Sequence, residues 1–200
     1  SMLSYKESLK ILKETDALIE GHFVLSSGLH SDKYVQCAKL LSKPQKAKDI
    51  CLSLAEKIKE KYSEIDLILS PAIGGIVIGY EIGRVLNIDT IFAERVNGDF
   101  SLRRDFEIKK NQKVLLVEDV ITTGKSSLEC SKLITKFGGT ISGFACLIDR
   151  SNGKSKINQK IISQIEINIP TYNQNELPEH LKKIKAIKPG SRNLKWNRQD

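Results

Sequence analysis

The stretch Leu115-Leu116-Val117-Glu118-Asp119-Val120-Ile121-Thr122-Thr123-Gly124-Lys125-Ser126 decides how this chain of 200 residues is read. Val114 to Val117 is an unbroken run of leucine and β-branched residues, the pattern of a strand buried on both faces of a parallel sheet. Two acids, Glu118 and Asp119, leave its end. Thr122-Thr123-Gly124-Lys125-Ser126 then opens a helix predicted over Ser126 to Phe137, with Gly138-Gly139 as its stop. In open parallel sheets ligands sit at the carboxyl ends of the strands, so this turn is the first place to look. Its backbone N–H groups, its hydroxyls and the positive end of a helix dipole suit a phosphate dianion. The acids cannot hold phosphate, but carboxylates accept hydrogen bonds from vicinal sugar hydroxyls. Acids beside a phosphate cradle therefore ask for a ribose phosphate.

Working outward, Ile141 to Ile148 is the next strand, and Asp66 to Ser70, ending in Pro71, and Thr90 to Ala93 are two earlier ones. Gly75 to Leu86 reads as a helix between those two. A helix begins at Pro44, with Ala47, Ile50, Cys51, Leu54 and Ile58 on its apolar face. Ser4 and Glu7 fit a capping box for a first helix, which Glu20-Gly21 closes as a turn. Strands alternating with helices over 66 to 148 imply right-handed βαβ units, hence an α/β fold with a central parallel sheet flanked by helices. Beyond Ser151 the pattern is less regular, with a strand at Ile161 to Ile169 and a short helix after Pro178.

The length suits one well-buried core, so a single domain over residues 2–200 is expected, with Ser1 read as a remnant of an expression tag. Hydrophobic residues at 40% and charged residues at 28% describe an ordinary soluble globular protein. No apolar run reaches the roughly eighteen residues of a membrane span, and no secretory signal opens the chain, so a cytoplasmic protein is expected. Cys37, Cys51, Cys130 and Cys146 form no Cys-x-x-Cys pair, which argues against structural zinc and for reduced, buried thiols. Of the formal charge of +8, residues 151–200 carry +6, from ten Lys or Arg against four acids. Without interleaved aromatics this reads as a solvated basic face, and no nucleic-acid partner is expected.

Gly124-Lys125-Ser126 looks like the end of a Walker A loop, but that motif needs a glycine where Asp119 stands. Gly74-Gly75-Ile76-Val77-Ile78-Gly79 likewise lacks the spacing of a dinucleotide site. The stretch Leu115 to Ser126 instead closely resembles the phosphoribosyl-pyrophosphate motif of the type I phosphoribosyltransferases. The resemblance implies their fold, in which a small hood accompanies the central sheet: a base-binding segment at about 2–42, a core at about 43–150 and the rest of the hood at about 151–200. It implies that Glu118 to Ser126, Val120 and Ile121 included, bind phosphoribosyl pyrophosphate, the loop Thr122 to Ser126 holding the 5′-phosphate and Glu118 and Asp119 facing the ribose hydroxyls.

Other stretches narrow the branch. Gly21 to Tyr34, with Phe23, Leu25, Ser26-Ser27-Gly28 and Tyr34, resembles the base-binding segment of orotate phosphoribosyltransferases, and Pro71-Ala72-Ile73-Gly74-Gly75 looks like their pyrophosphate loop. Phe92-Ala93-Glu94-Arg95, a short Gly-containing loop and Leu102-Arg103-Arg104 resemble one bacterial branch, as does Pro189-Gly190-Ser191-Arg192. Arg150, after Asp149, stands where that family keeps an arginine for the orotate carboxylate, a bidentate pairing that purines do not need. Ser27, Gly28, Tyr34, Thr122 and Arg150 are thus the candidate orotate contacts. Phe23 and Leu25 read as core, and His22 and His30 as loop hydrogen-bonding residues. The better-known branch has lysines where Ser26 and Gly74 stand and a longer basic loop where Val96 to Leu102 stands, so its catalytic residues do not carry over wholesale.

The expected reaction is transfer of phosphoribosyl from phosphoribosyl pyrophosphate to orotate, with Mg²⁺ held mainly by substrate oxygens and no direct protein ligand. Asp119, Arg95, Arg103 and Arg104 are the catalytic candidates, the arginines for the departing pyrophosphate. Asn97-Gly98-Asp99 is the expected tip of a mobile loop. The resemblance implies a homodimer in which this loop reaches the neighbour's site. A purine phosphoribosyltransferase and a non-catalytic sensor of phosphoribosyl pyrophosphate are the rival readings.

Overall fold

A computed structural model describes residues 2–189. Gly190, Ser191 and Arg192 of the quoted tail lie outside the described residues. Ser4 caps helix α1 (Tyr5–Glu14) with the reciprocal Ser4–Glu7 hydrogen bonds of a capping box. The helix ends there, and Glu20-Gly21 is no turn: both residues lie in strand β1 (Leu18–Val24), which pairs antiparallel with β2 (His30–Val35). The register shifts between Glu20 and Phe23, so the local irregularity that reads as a turn in sequence is a bulge in a strand. Helices α2 (Cys37–Leu41) and α3 (Pro44–Lys61) follow, and α3 buries the predicted Ala47, Ile50, Cys51, Leu54 and Ile58.

The main sheet contains β3 (Leu67–Pro71), β4 (Thr90–Val96), β5 (Asp99–Leu102), β6 (Lys113–Ile121), β7 (Thr140–Asp149) and β8 (Ile161–Glu166), in the order β5-β4-β3-β6-β7-β8. Every pairing is parallel except β4 with β5. Leu115, Leu116 and Val117 on β6 are fully buried because helices cover both faces. Helix α4 (Gly74–Leu86) sends Ile78 and Ile82 into one core, whereas α5 (Lys125–Lys136) sends Cys130, Leu133 and Ile134 into the other. Gly79 and Gly83 let α4 lie close to the sheet, since a Cβ on them would meet the Ser70 and Thr90 hydroxyls at 2.2 and 2.0 Å.

The chain leaves β3 for β4 on one side and enters β6 on the other, so the loops after β3 and β6 diverge from neighbouring strand ends. That is a topological switch point, the usual ligand crevice of such sheets. Over it sits the β1–β2 ribbon, joined to the C-terminal segment by paired hydrogen bonds between His30 and Tyr172 and by Val24 N to Ile187 O and Ile187 N to His22 O. This segment carries the short helix α6 (Glu179–Lys182) predicted after Pro178. Among the described residues no helix is long and apolar enough to cross a membrane.

Candidate functional site

The phosphate-type loop is built as its sequence demands. Gly124 has φ +83°, and a Cβ there would meet Ser155 Oγ at 2.6 Å and Ile157 Cγ1 at 3.0 Å, so only glycine fits. Thr123 is tied on both sides: its Oγ1 accepts from Lys125 N at 3.2 Å and its carbonyl from Lys156 N at 2.8 Å. Thr122, Thr123, Lys125 and Ser126 are exposed around the start of α5. The first-turn N–H groups of that helix have no carbonyl behind them to bond, which suits an anion.

Glu118 is buried and Asp119 half-buried, at the end of β6. Asp119 Oδ1 accepts from Val120 N at 2.8 Å, and Glu118 Oε1 from Asp119 N at 3.1 Å. The loop after β3 lies against them. A Cβ on Gly74 would stand 2.9 Å from Asp119 Oδ2, and one on Gly75 3.1 Å from Glu118 Oε1. Position 74, a lysine in the better-known branch, is thus too close to Asp119 for any side chain unless the carboxylate shifts. Ala72 N donates to Ala93 O at 2.7 Å, and the peptide between Ala72 and Ile73 is cis. Burial, with the neighbouring Asp119 charge adding to it, pushes the Glu118 carboxyl up to about 9.

Two concavities meet at Thr123. One, of about 620 Å³, lies under the hood and is lined by Ser27, Tyr34, Thr122 and Arg150 of the expected base contacts, with Leu25, Ser26, Leu29, Thr171 and Pro189. Gly28 does not line it. With φ +86° it closes the turn that presents Ser26 and Ser27, its N–H donating to Leu25 O at 2.9 Å. Phe23 is core as expected, but Leu25 faces the cavity, and Thr171 comes from a segment whose sequence carries no motif. Among the described residues the buried Arg150 Nε has no hydrogen-bond partner, and burial holds the guanidinium below its ordinary value. His22 and His30 take the structural role: His22 Nδ1 lies 2.8 Å from Ile184 O, and its Nε2 lies 2.6 Å from His30 Nδ1.

The other concavity, of about 910 Å³, lies between α5 and the β4–β5 hairpin and is lined by Arg95, Thr123, Lys125, Ser126, Glu129, Lys132 and Lys136 among others. Asn97-Gly98-Asp99 is the tip expected from sequence, and the segment forms the turn of the β4–β5 hairpin. Asn97 and Gly98 have φ of 52° and 90°, the type I′ turn for which Asn-Gly between strands is the strongest sequence signal. Arg104 is already engaged, its Nε and Nη2 on the two oxygens of Glu94 at 3.0 and 3.1 Å and its guanidinium over Phe92. Arg103 is exposed, with no ion pair among the described residues.

A model of the phosphoribosyl transferase domain matches residues 38–183. The chain is 47% identical over 189 residues to the orotate phosphoribosyltransferase of Parvibaculum lavamentivorans, covering 92% of this chain and 97% of that protein. It is 45% identical over 188 residues to that of Erythrobacter litoralis, covering 94% and 97%. Among solved structures, orotate phosphoribosyltransferase from Aeropyrum pernix superposes with a TM-score of 0.68 at 22% identity, over 79% of this chain and 92% of that one. Adenine phosphoribosyltransferase from Thermoanaerobacter pseudethanolicus superposes with 0.56 at 18%, over 68% and 88%, and these two speak to the fold alone.

The Glu118 carboxyl gives a pH dependence with a definite sign. Its folded-state value is raised from 4.5 to about 9, so its contribution to stability is complete below 4.5 and is lost as pH rises through about 9. Glu118→Gln keeps the shape without the charge. The variant's advantage in Tm over the parent should grow from about pH 5 to about pH 9; a margin independent of pH would contradict a raised Glu118.

Proposed function

The chain belongs to the phosphoribosyltransferase family, and within it to the orotate phosphoribosyltransferases, and from that premise we propose that it transfers phosphoribosyl from phosphoribosyl pyrophosphate to orotate. The products are orotidine 5′-monophosphate and pyrophosphate, which makes it a pentosyl transferase of pyrimidine biosynthesis. The observation that carries the choice of base is Arg150, a partly buried guanidinium in the hood cavity whose Nε has no partner among the described residues. A buried donor left unsatisfied costs about 1–3 kcal/mol, more when charged, and a planar carboxylate on the base would remove that cost.

In this reading Thr122 to Ser126 hold the 5′-phosphate, and Glu118 and Asp119 receive the ribose 2′- and 3′-hydroxyls. Glycosyl transfer develops positive charge on the ribose while pyrophosphate leaves with additional negative charge. The Asp119 carboxyl would stabilise the first, since burial keeps Glu118 protonated up to about pH 9. Ala72 to Gly75, the turn that leads into α4, and Arg95 would meet the second. Thr122 reaches both the base cavity and the phosphate loop, so it registers one substrate against the other. A Mg²⁺ ion held mainly by the substrates' own oxygens would neutralise the departing diphosphate.

A homodimer with shared sites completes the proposal. Its support is the row of large apolar side chains Ile73, Val77 and Tyr80, exposed along the start of α4 beside the pyrophosphate loop. The four buried, unpaired thiols support a reducing, cytoplasmic setting.

The deciding experiment follows loss of orotate absorbance with phosphoribosyl pyrophosphate and Mg²⁺, beside adenine, hypoxanthine and uracil; turnover of a purine instead would replace the proposed base. Asp119→Asn should cut turnover by roughly 10- to 100-fold, the worth of one charged hydrogen bond, without changing Tm by more than a few degrees. Near-normal rates would remove the ribose contact. Arg150→Ala should raise the orotate KM by roughly 10- to 100-fold while moving that for phosphoribosyl pyrophosphate far less. Equal effects on both would take Arg150 out of the base site. Sedimentation equilibrium should return twice the chain mass, and a monomer at all concentrations would remove the shared-site arrangement.

A further inference from the structure

Arg95 is held from several directions. Its Nη1 donates to Gly98 O, in the hairpin turn, at 2.7 Å and pairs with Glu129 Oε2 on α5 at 2.8 Å, while its guanidinium lies 4.1 Å from the centre of the Phe100 ring. Both of its polar contacts among the described residues fall on that one nitrogen. The Nε and Nη2 edge, the pair of donors that matches two oxygens of a phosphate, has no partner among the described residues. Arg104 makes a useful contrast, because Glu94 occupies that same edge of its guanidinium.

Glu129 stands three residues after Ser126 on α5, on the same face of the helix, one turn beyond the loop that suits a sugar phosphate. Both Arg95 and Glu129 line the groove that Thr123, Lys125 and Ser126 also line. Their side chains retain 41% and 32% of their exposure, so the pair contributes little to folding stability as a surface ion pair. Its geometry, by contrast, ties the β4–β5 hairpin to the helix that opens at the phosphate loop.

We infer that Glu129 is a positioning residue for the transfer, fixing Arg95 by one nitrogen so that the guanidinium's free edge is presented to the diphosphate leaving group. This rests on the reading of Arg95 as a diphosphate contact. One rigid helix then sets both ends of the sugar substrate: its first turn holds the 5′-phosphate, and its second turn orients the cation that receives the departing charge. An unanchored arginine would have to freeze its rotamers when the substrate binds, whereas one held by Glu129 is already arranged. The Glu129 charge does not defeat the groove's attraction for anions, because Lys125, Lys132 and Lys136 line it as well.

The test is a double-mutant cycle on the full-length protein with steady-state kinetics for both substrates. Glu129→Ala should lower kcat/KM for phosphoribosyl pyrophosphate by roughly 10-fold, within the loss expected for a misplaced catalytic group, and leave the orotate KM unchanged within about 2-fold. Glu129→Gln, which keeps an oxygen for Arg95 and preserves the helix, should recover most of that loss. In an Arg95→Ala background, Glu129→Ala should cost nothing further. An equal loss in that background would overturn the inference, since Glu129 would be acting elsewhere on α5. Faster turnover in Glu129→Ala would overturn it too, by making the pair a restraint. Wild-type kinetics for Arg95→Ala would sink the reading of Arg95, and this inference with it, while orotate transfer by the parent enzyme would stand.

Discussion

A pair of carboxyl groups at the end of a strand buried on both faces is the constraint that organises the rest of this protein. Glu118 and Asp119 leave β6 where Leu115, Leu116 and Val117 have taken the backbone through the driest part of the sheet. Acids at such a place are costly unless they meet donors. Each accepts a backbone N–H nearby, yet burial still keeps Glu118 far above the usual carboxylate range. In the proposed function a diol ligand would supply two hydroxyl donors to the same oxygens. A perturbed, buried acid of this kind is the sort of group that gathers where chemistry is done.

Much of the surrounding architecture keeps other groups out of the way of that pair. Gly74 and Gly75 have no side chains because Asp119 and Glu118 occupy the volume, and the left-handed Gly124 brings the phosphate loop against Ser155 and Ile157. The switch in strand order places both loops at adjacent strand ends, so two helix N-termini open toward one crevice. The hood is attached by backbone pairing between the β1–β2 ribbon and the C-terminal segment and by the buried His22–His30 contact. Arg150, which follows β7, thereby faces Ser27, Tyr34 and Thr171 across one cavity.

The arginines show how little a charge says until its partners are known. Arg95, Arg103 and Arg104 are equivalent in composition, but Glu94 takes the bidentate edge of Arg104, Glu129 takes a single nitrogen of Arg95, and Arg103 makes no ion pair among the described residues. Glu129 itself sits in an ordinary helical pattern, and nothing in its sequence context sets it apart from any other exposed acid.

What the sequence determined by itself was local and periodic: the buried strand, the acids, the Thr-Thr-Gly loop, the helix behind it, the α3 apolar face and the Ser4 capping box. In each of these one short stretch carries both the pattern and its cause, so chain order suffices. The hairpins were less legible. Glu20-Gly21 imitates a turn because a bulge breaks the alternation of β1, and Asn97-Gly98 marks a tip in sequence without showing that strands β4 and β5 flank it as a type I′ hairpin. Tertiary structure alone decided that Leu25 and Thr171 line the hood cavity, that Gly74 rests on Asp119, and which nitrogen of each arginine remains available. Those facts depend on residues brought together from distant parts of the chain, where sheet topology and packing, and no local pattern, set the distances.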